Sequence, residues 1–191
     1  MKNKAIDARR HTFATTDQVL LDANVWLYLN GPAAVTGSWA VNAYTAVFAN
    51  LLTAKTQLFL EVLVLGEFVN RYARMEYGRL NMPDPRTGRP LYPEFKAFRQ
   101  SQAFPPVAKA IANEATNMVN ICQRVDHHFS EWNALDLLNN YSTGAFDCND
   151  QLLVESCRKH GLALLTNDGD FTEGGLTVYT ANNRLLKACP Y

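Results

Sequence analysis

Asp22 closes the short apolar run Gln18–Leu21 (QVLL), and Asp168 follows the run Leu162–Leu165 (LALL) through Thr166 and Asn167. If both runs are strands of one parallel sheet, both acids stand at strand carboxyl ends, the edge at which open α/β sheets take ligands. A helix joining parallel strands runs antiparallel to them, so its N-terminus lies on that same edge. Glu67 falls in the second turn of the helix that follows LFLEV, and Asp150 in the first turn of the helix that leads down to LALL. Four carboxylates from four separate elements are therefore expected to converge.

Such a cluster is costly when nothing balances it. Two unit charges ~4 Å apart repel by roughly 4 kcal/mol at an effective dielectric near 20, and protonation or a bound cation must relieve the strain. Hard oxygen ligands without neighbouring His or Cys suit Mg²⁺ or Mn²⁺. The chemistry then open is attack of a metal-activated water on a phosphodiester, the reaction of a carboxylate-metal nuclease. Each acid also has a plainer reading. Asp22 can cap the next helix, although Asn24 serves as well. Asp147 and Asp150 resemble a capping box with Asp147 as N-cap, and Asp168 and Asp170 (TNDGDF) fit a polar loop. Glu67 is harder to dismiss, because an acid inside VLVLGEFV is rarely buried without a partner.

The elements that must position these acids follow from periodicity. Helical spacing marks a stretch opening at Asn24 (NVWLYL), Trp39–Lys55, Leu63–Leu80, Val107–Val119, Glu131–Tyr141, Asp147–His160 ahead of Gly161, and Ala181–Ala188. Strands are expected at Gln18–Leu21, Leu58–Val62, Ile121–Val125, Leu162–Leu165 and, as an edge, Leu176–Tyr179. The residues before Gln18 read as a polar lead-in. Six of the eight prolines lie within residues 83–106, which excludes a continuous helix or central strand there and leaves room for one short helix at Glu94–Ser101. Strands alternating with helices indicate an α/β fold, a central mostly parallel sheet flanked by helices.

Composition narrows the class. A chain of 191 residues, 48% hydrophobic, suits one domain with the proline-rich segment as a surface insertion. Eighteen basic and eighteen acidic residues cancel, which argues against a strongly basic nucleic-acid coat protein. Cys122, Cys148, Cys157 and Cys189 form no CxxC pair and suggest neither a zinc ribbon nor a disulfide framework. The basic N-terminus has no apolar stretch behind it, and the most apolar window, Leu58–Leu65, is interrupted by Glu61. Neither a signal peptide nor a membrane span is expected, and the reading is a soluble, cytoplasmic protein.

Three segments together resemble the PIN-domain ribonucleases, including the VapC-like toxins of toxin–antitoxin pairs: LLDANVWLYL around Asp22, LVLGEFVNRY around Glu67, and DQLLVESCRKHGLALLTNDGDF from Asp150. The last is the most specific: an acid, an apolar helix, a glycine eleven residues on, an apolar strand, then T-x-D. The resemblance implies a Rossmann-like PIN domain over residues 1–191, with 76–106 as an insertion that the compact toxins lack. It implies that Asp22, Glu67, Asp150 and Asp168 bind Mg²⁺ or Mn²⁺ and carry catalysis. Asn24 and Thr166 match residues that hold the first and last acids, while Asp147 and Asp170 are additional acids near the site. It further implies cleavage of single-stranded RNA, a homodimer, and an antitoxin as partner.

Residues 71–99 hold seven basic side chains (Arg71, Arg74, Arg79, Arg86, Arg89, Lys96, Arg99) against three acids, a local charge of +4 that leaves −4 elsewhere. Arg71, Arg74 and Arg79 begin one turn after Glu67 and are candidates to hold phosphates. The interleaved Tyr72, Tyr77, Tyr92 and Phe95 either stack on bases or belong to a core. Adjacent residues on a strand point to opposite faces, so His127-His128 reads as structural and not as a chelating pair. Two other functions compete with the nuclease. One is a PIN-like scaffold that binds without cutting. The other is a haloacid-dehalogenase-type phosphatase, which wants D-x-D where this chain has Asp22-Ala23-Asn24.

Overall fold

The computed structural model describes every residue except 33, 35–37, 127, 143, 145, 146 and 191. The apolar runs become strands β2 (Gln18–Leu21), β3 (Gln57–Glu61) and β5 (Ala163–Leu165), each buried in all but its first residue. A strand apolar on both faces needs cover on both, which is the condition of an interior parallel strand. With β1 (Lys4–Asp7), β4 (Gln123–Val125) and β6 (Thr177–Thr180), they form a sheet of order β1-β6-β5-β2-β3-β4. Every pairing in it is parallel.

The helices are α1 (Ala23–Asn30), α2 (Trp39–Thr53), α3 (Val62–Leu80), α4 (Phe95–Arg99), α5 (Phe104–Ile121), α6 (Ala134–Ser142), α7 (Cys148–His160) and α8 (Asn183–Ala188). Their apolar faces close over the sheet, with Trp26, Tyr44, Phe68, Met118 and Leu185 fully buried. No helix among the described residues is long and apolar enough to cross a membrane.

Two expectations at the sheet edge are corrected. Lys4–Asp7 is a strand and not a lead-in, so Leu176–Tyr179 does not form the edge: β6 lies between β5 and β1. Only Ala5 of β1 is buried, too little for an apolar pattern. Long-range polar contacts place it instead. Asn3 donates from Nδ2 to the Phe171 carbonyl, 3.0 Å, and accepts from the Leu176 N–H, 2.8 Å. A third difference concerns Pro105 and Pro106. They sit in the first turn of α5, which therefore starts at Phe104, because a helix's first N–H groups have no intrahelical acceptor to lose.

The chain leaves β2 toward β3 and β4 on one side, then returns through α7 to β5 on the other. The order thus reverses between β2 and β5, and a crevice opens beyond their carboxyl ends. Asp22 directly follows β2, and Thr166 directly follows β5. Gly161 ends α7 at φ +66°, the left-handed turn that aims the chain into β5.

The proline-rich segment is held by a small aromatic core of its own. Phe98 of α4 is fully buried, with the rings of Tyr77, Tyr92, Phe95 and Phe104 centred 5.2–6.3 Å away. Arg74 covers Phe95 and Arg99 covers Phe104. Asn81 accepts from the Tyr92 N–H, and the Asp84 carboxylate accepts from Arg86 N–H at the tip of the turn. Tyr77, Tyr92 and Phe95 are thus committed to one another and not displayed for bases. Phe98→Ala is expected to cost about 3–5 kcal/mol of packing and to make residues 82–97 the first region cut in limited proteolysis. An unchanged digestion pattern would mean that the segment is anchored in some other way.

Candidate active site

Asp22 is 6% exposed. It caps α1, accepting from the Asn24 N–H, so its capping role and its position at the end of β2 are the same placement. Its Oδ2 also accepts from Thr166 Oγ1 at 2.6 Å and from Asn24 Nδ2. Thr166 Oγ1 in turn accepts the Asp168 N–H at 3.0 Å, and Asn24 Oδ1 accepts the Asn167 N–H at 3.1 Å. Asn24 and Thr166 thereby tie the end of β2 to the loop after β5, with Asp22 in the middle.

Asp150 lies in the first turn of α7, which Asp147 caps by accepting the Asn149 N–H at 2.8 Å. Glu67 comes from the second turn of α3 and Asp168 from the loop after β5. All four acids line one pocket of about 30 Å³, together with Asn24, Asn149 and Arg71. That space suits an ion or a water, and is far too small for a nucleotide. A groove of about 1160 Å³ opens beside it, sharing Asp150 and adding Asp147 and Asp170. Of these two, the small pocket collects all four acids, so the chemistry is assigned there and the groove is its approach.

Not every candidate converges. Asp170 is exposed, bound to Arg184 at 3.2 Å, and reaches the site only through its N–H on Asp168 Oδ1. Arg79 grips both oxygens of Glu76, and Arg74 lies over Phe95, so neither faces the acids. Arg71 does line the pocket, with Nη1 2.9 Å from Glu67 Oε1. Glu67 is therefore partly exposed and paired, and not buried as its apolar neighbours suggest. Among the described residues, no three His, Cys, Asp or Glu side chains converge tightly enough to hold an ion as they stand. His127 lies outside the described residues; His128 sits 3.4 Å from Glu131 and away from the acids.

The sequence reading overlooks a supporting layer. Tyr44 is fully buried on α2, shares its one hydroxyl proton between the Thr166 carbonyl and Asn167 Oδ1, and accepts the Ala181 N–H. Asn167 Nδ2 reaches Tyr28, whose ring stacks on Tyr44, and Asn182 Nδ2 reaches the Asn167 carbonyl. These contacts fix the loop carrying Thr166 and Asp168. A polar tyrosine at a core position of α2 was the one available hint.

Two of the acids are shifted by their surroundings. Burial pushes Asp22 up to about 6; the Thr166 hydroxyl opposes this, and the charges of Glu67 and Asp168 add to it. Burial likewise raises Asp150 to about 7, reinforced by Asp168, Asp22, Asp147 and Glu67. Burial, with the neighbouring acids adding to it, thus disfavours charge on both carboxylates, and a cation among them would offset that cost. Hard carboxylate oxygens with no thiolate or imidazole among them fit Mg²⁺ or Mn²⁺, with Asp22, Asp150, Asp168 and Glu67 as the residues that would hold it.

A family model described as PIN domain matches residues 19–175, which spans all four acids. No curated protein matches the chain. The match excludes the phosphatase alternative. So does Asn24, which occupies the place of that family's second acid and serves Asp22 as a hydrogen-bond donor.

The raised acids predict a pH dependence. Between pH 3.8, the ordinary aspartate value, and about 7, the folded chain keeps protons that the unfolded chain has released. Stability without metal therefore falls as pH rises through this interval. The thermal midpoint at pH 7.5 should lie ~4 °C or more below that at pH 5, with Mn²⁺ restoring much of the loss and Asp22→Asn flattening the dependence. A metal-free midpoint that rises toward pH 7.5 would show that burial and crowding do not raise these acids as described.

Proposed function

The chain belongs to the PIN-domain family, and from that premise we propose that it is a metal-dependent endoribonuclease cutting single-stranded RNA at the pocket of Asp22, Glu67, Asp150 and Asp168. PIN domains are in general nucleases that act on nucleic acids and use divalent metal ions. The observation that carries the finer reading is the meeting of four carboxylates, from four elements, in one ion-sized pocket at the switch point of the sheet.

Each part of the chain has a definite task in that reaction. Thr166 and Asn24 hold the Asp22 carboxylate in one orientation by hydrogen bonds to Oδ2. The Asp168 backbone is fixed on the same Thr166 hydroxyl. The rigid N-terminal turns of α3 and α7 present Glu67 and Asp150. A bound Mg²⁺ or Mn²⁺ supplies activation of water and neutralisation of the phosphodiester's developing charge. Residues 1–191 act as one PIN-like domain with 76–106 as its insertion. The want of a long apolar stretch points to the cytoplasm as its place of action. The resemblance to the VapC-like toxins within the family points to a homodimer and to an antitoxin partner, a role separable from the nuclease chemistry because the compact toxins lack the 76–106 insertion.

A second reading is favoured by one observation. Glu67 is held by Arg71, which suits a PIN scaffold that binds RNA without cutting it. Cleavage of labelled single-stranded RNA separates the two. Wild type should cut with Mg²⁺ or Mn²⁺ and stop with EDTA, and Asp22→Asn or Asp168→Asn should each lower the rate about 100-fold or more. RNA bound but uncut by wild type across several sequences would favour the scaffold, and cutting that survives both EDTA and Asp22→Asn would misplace the site.

A further inference from the structure

We propose that Arg71 is an exchangeable counter-ion. It neutralises Glu67 in the metal-free site and turns to a substrate phosphate once a divalent cation takes that carboxylate. The inference rests on the nuclease reading and adds to it a residue that touches substrate.

Three observations carry it. Arg71 is the cationic side chain among the described residues lining the small pocket, where it faces four carboxylates. Its one hydrogen-bond partner there is Glu67 Oε1, 2.9 Å away and one helical turn earlier on α3. Arg71 and Glu67 are 51% and 36% exposed, and a solvent-exposed i,i+4 pair of this kind is weak, hence easily exchanged. The neighbouring arginines contrast with it. Arg79 is fixed by three hydrogen bonds to Glu76, whose carboxylate is largely buried, and Arg74 and Arg99 are laid over aromatic rings. Of the basic side chains on α3, Arg71 alone is both at the acids and lightly held.

The charge balance requires such a group. Four ionised carboxylates and one divalent cation still leave the pocket negative, and a phosphodiester must approach it. A guanidinium matches a phosphate with two parallel N–H···O bonds, which an ammonium does not.

The two halves of this role predict shifts of opposite sign. Mn²⁺ binding is measured by titration calorimetry without RNA. Affinity for a fluorescein-labelled single-stranded RNA of mixed sequence is measured by anisotropy in Ca²⁺. Arg71→Gln should bind Mn²⁺ ~2–5-fold more tightly, having lost the competitor, and RNA ~10-fold or more weakly. Arg71→Lys should return Mn²⁺ affinity toward wild type while recovering only part of the RNA affinity. Mn²⁺ affinity that is unchanged or weakened in Arg71→Gln overturns the proposal, as does RNA affinity equal to wild type. Both shifts in Arg71→Gln, together with wild-type protein that cleaves no RNA in Mg²⁺ or Mn²⁺, would instead overturn the nuclease reading and leave the counter-ion role standing.

Discussion

The burial of carboxylates beside one another at the end of a parallel sheet is the constraint on which the site depends. Asp22 is almost completely buried, and Asp150, Asp168 and Glu67 surround it with charge of the same sign. Left to themselves these groups would move apart. They are kept together because each is fixed to the backbone of a different element. Asp22 caps α1, Asp150 sits behind the Asp147 cap of α7, Asp168 is tied to Thr166, and Glu67 rides on α3. Structure formed at some electrostatic cost, in a pocket the size of an ion, is the arrangement expected of a binding site for a divalent cation.

The support of this arrangement is polar and runs beneath it. Thr166 and Asn24 share the Asp22 carboxylate, and Tyr44, Tyr28, Asn167 and Asn182 hold the loop that follows β5. The loop has few backbone partners of its own, so side chains from α1, α2 and the start of α8 replace them. The proline-rich insertion is independent of this layer. It packs its aromatics on one another between α3 and α5, and two of its arginine neighbours are spent on covering those rings. The net positive charge of residues 71–99 therefore overstates how much of it is available to a phosphate backbone, and Arg71 stands apart from its neighbours for that reason.

Much of the architecture was legible along the chain. The runs QVLL and LALL are strands because they are short, apolar and followed by polar residues. Gly161 ends α7 as its position after a helical stretch requires. Matching those strands as parallel neighbours was enough to bring Asp22, Glu67, Asp150 and Asp168 to one edge. What escaped the sequence is tertiary in origin. Strand β1 has one buried side chain and is recruited by β6 and by Asn3, contacts some 170 residues distant that leave no local pattern. The same holds for Tyr44 and Asn167, whose partners come from remote segments. Tyr77, Tyr92 and Phe95 show the opposite difficulty: aromatic residues among arginines look alike whether they stack on bases or on each other, and only the burial of Phe98 distinguishes the two.

The most direct test of the central claim is the anomalous scattering of Mn²⁺ in crystals of the wild-type protein grown near neutral pH. A peak bonded to carboxylate oxygens of Asp22, Asp150 and Asp168, with Glu67 released from Arg71 toward it, is the result that repulsion relieved by a cation predicts. A clean map at the four acids in crystals that bind Mn²⁺ elsewhere would contradict it, and would make the crowded carboxylates a feature of the fold alone.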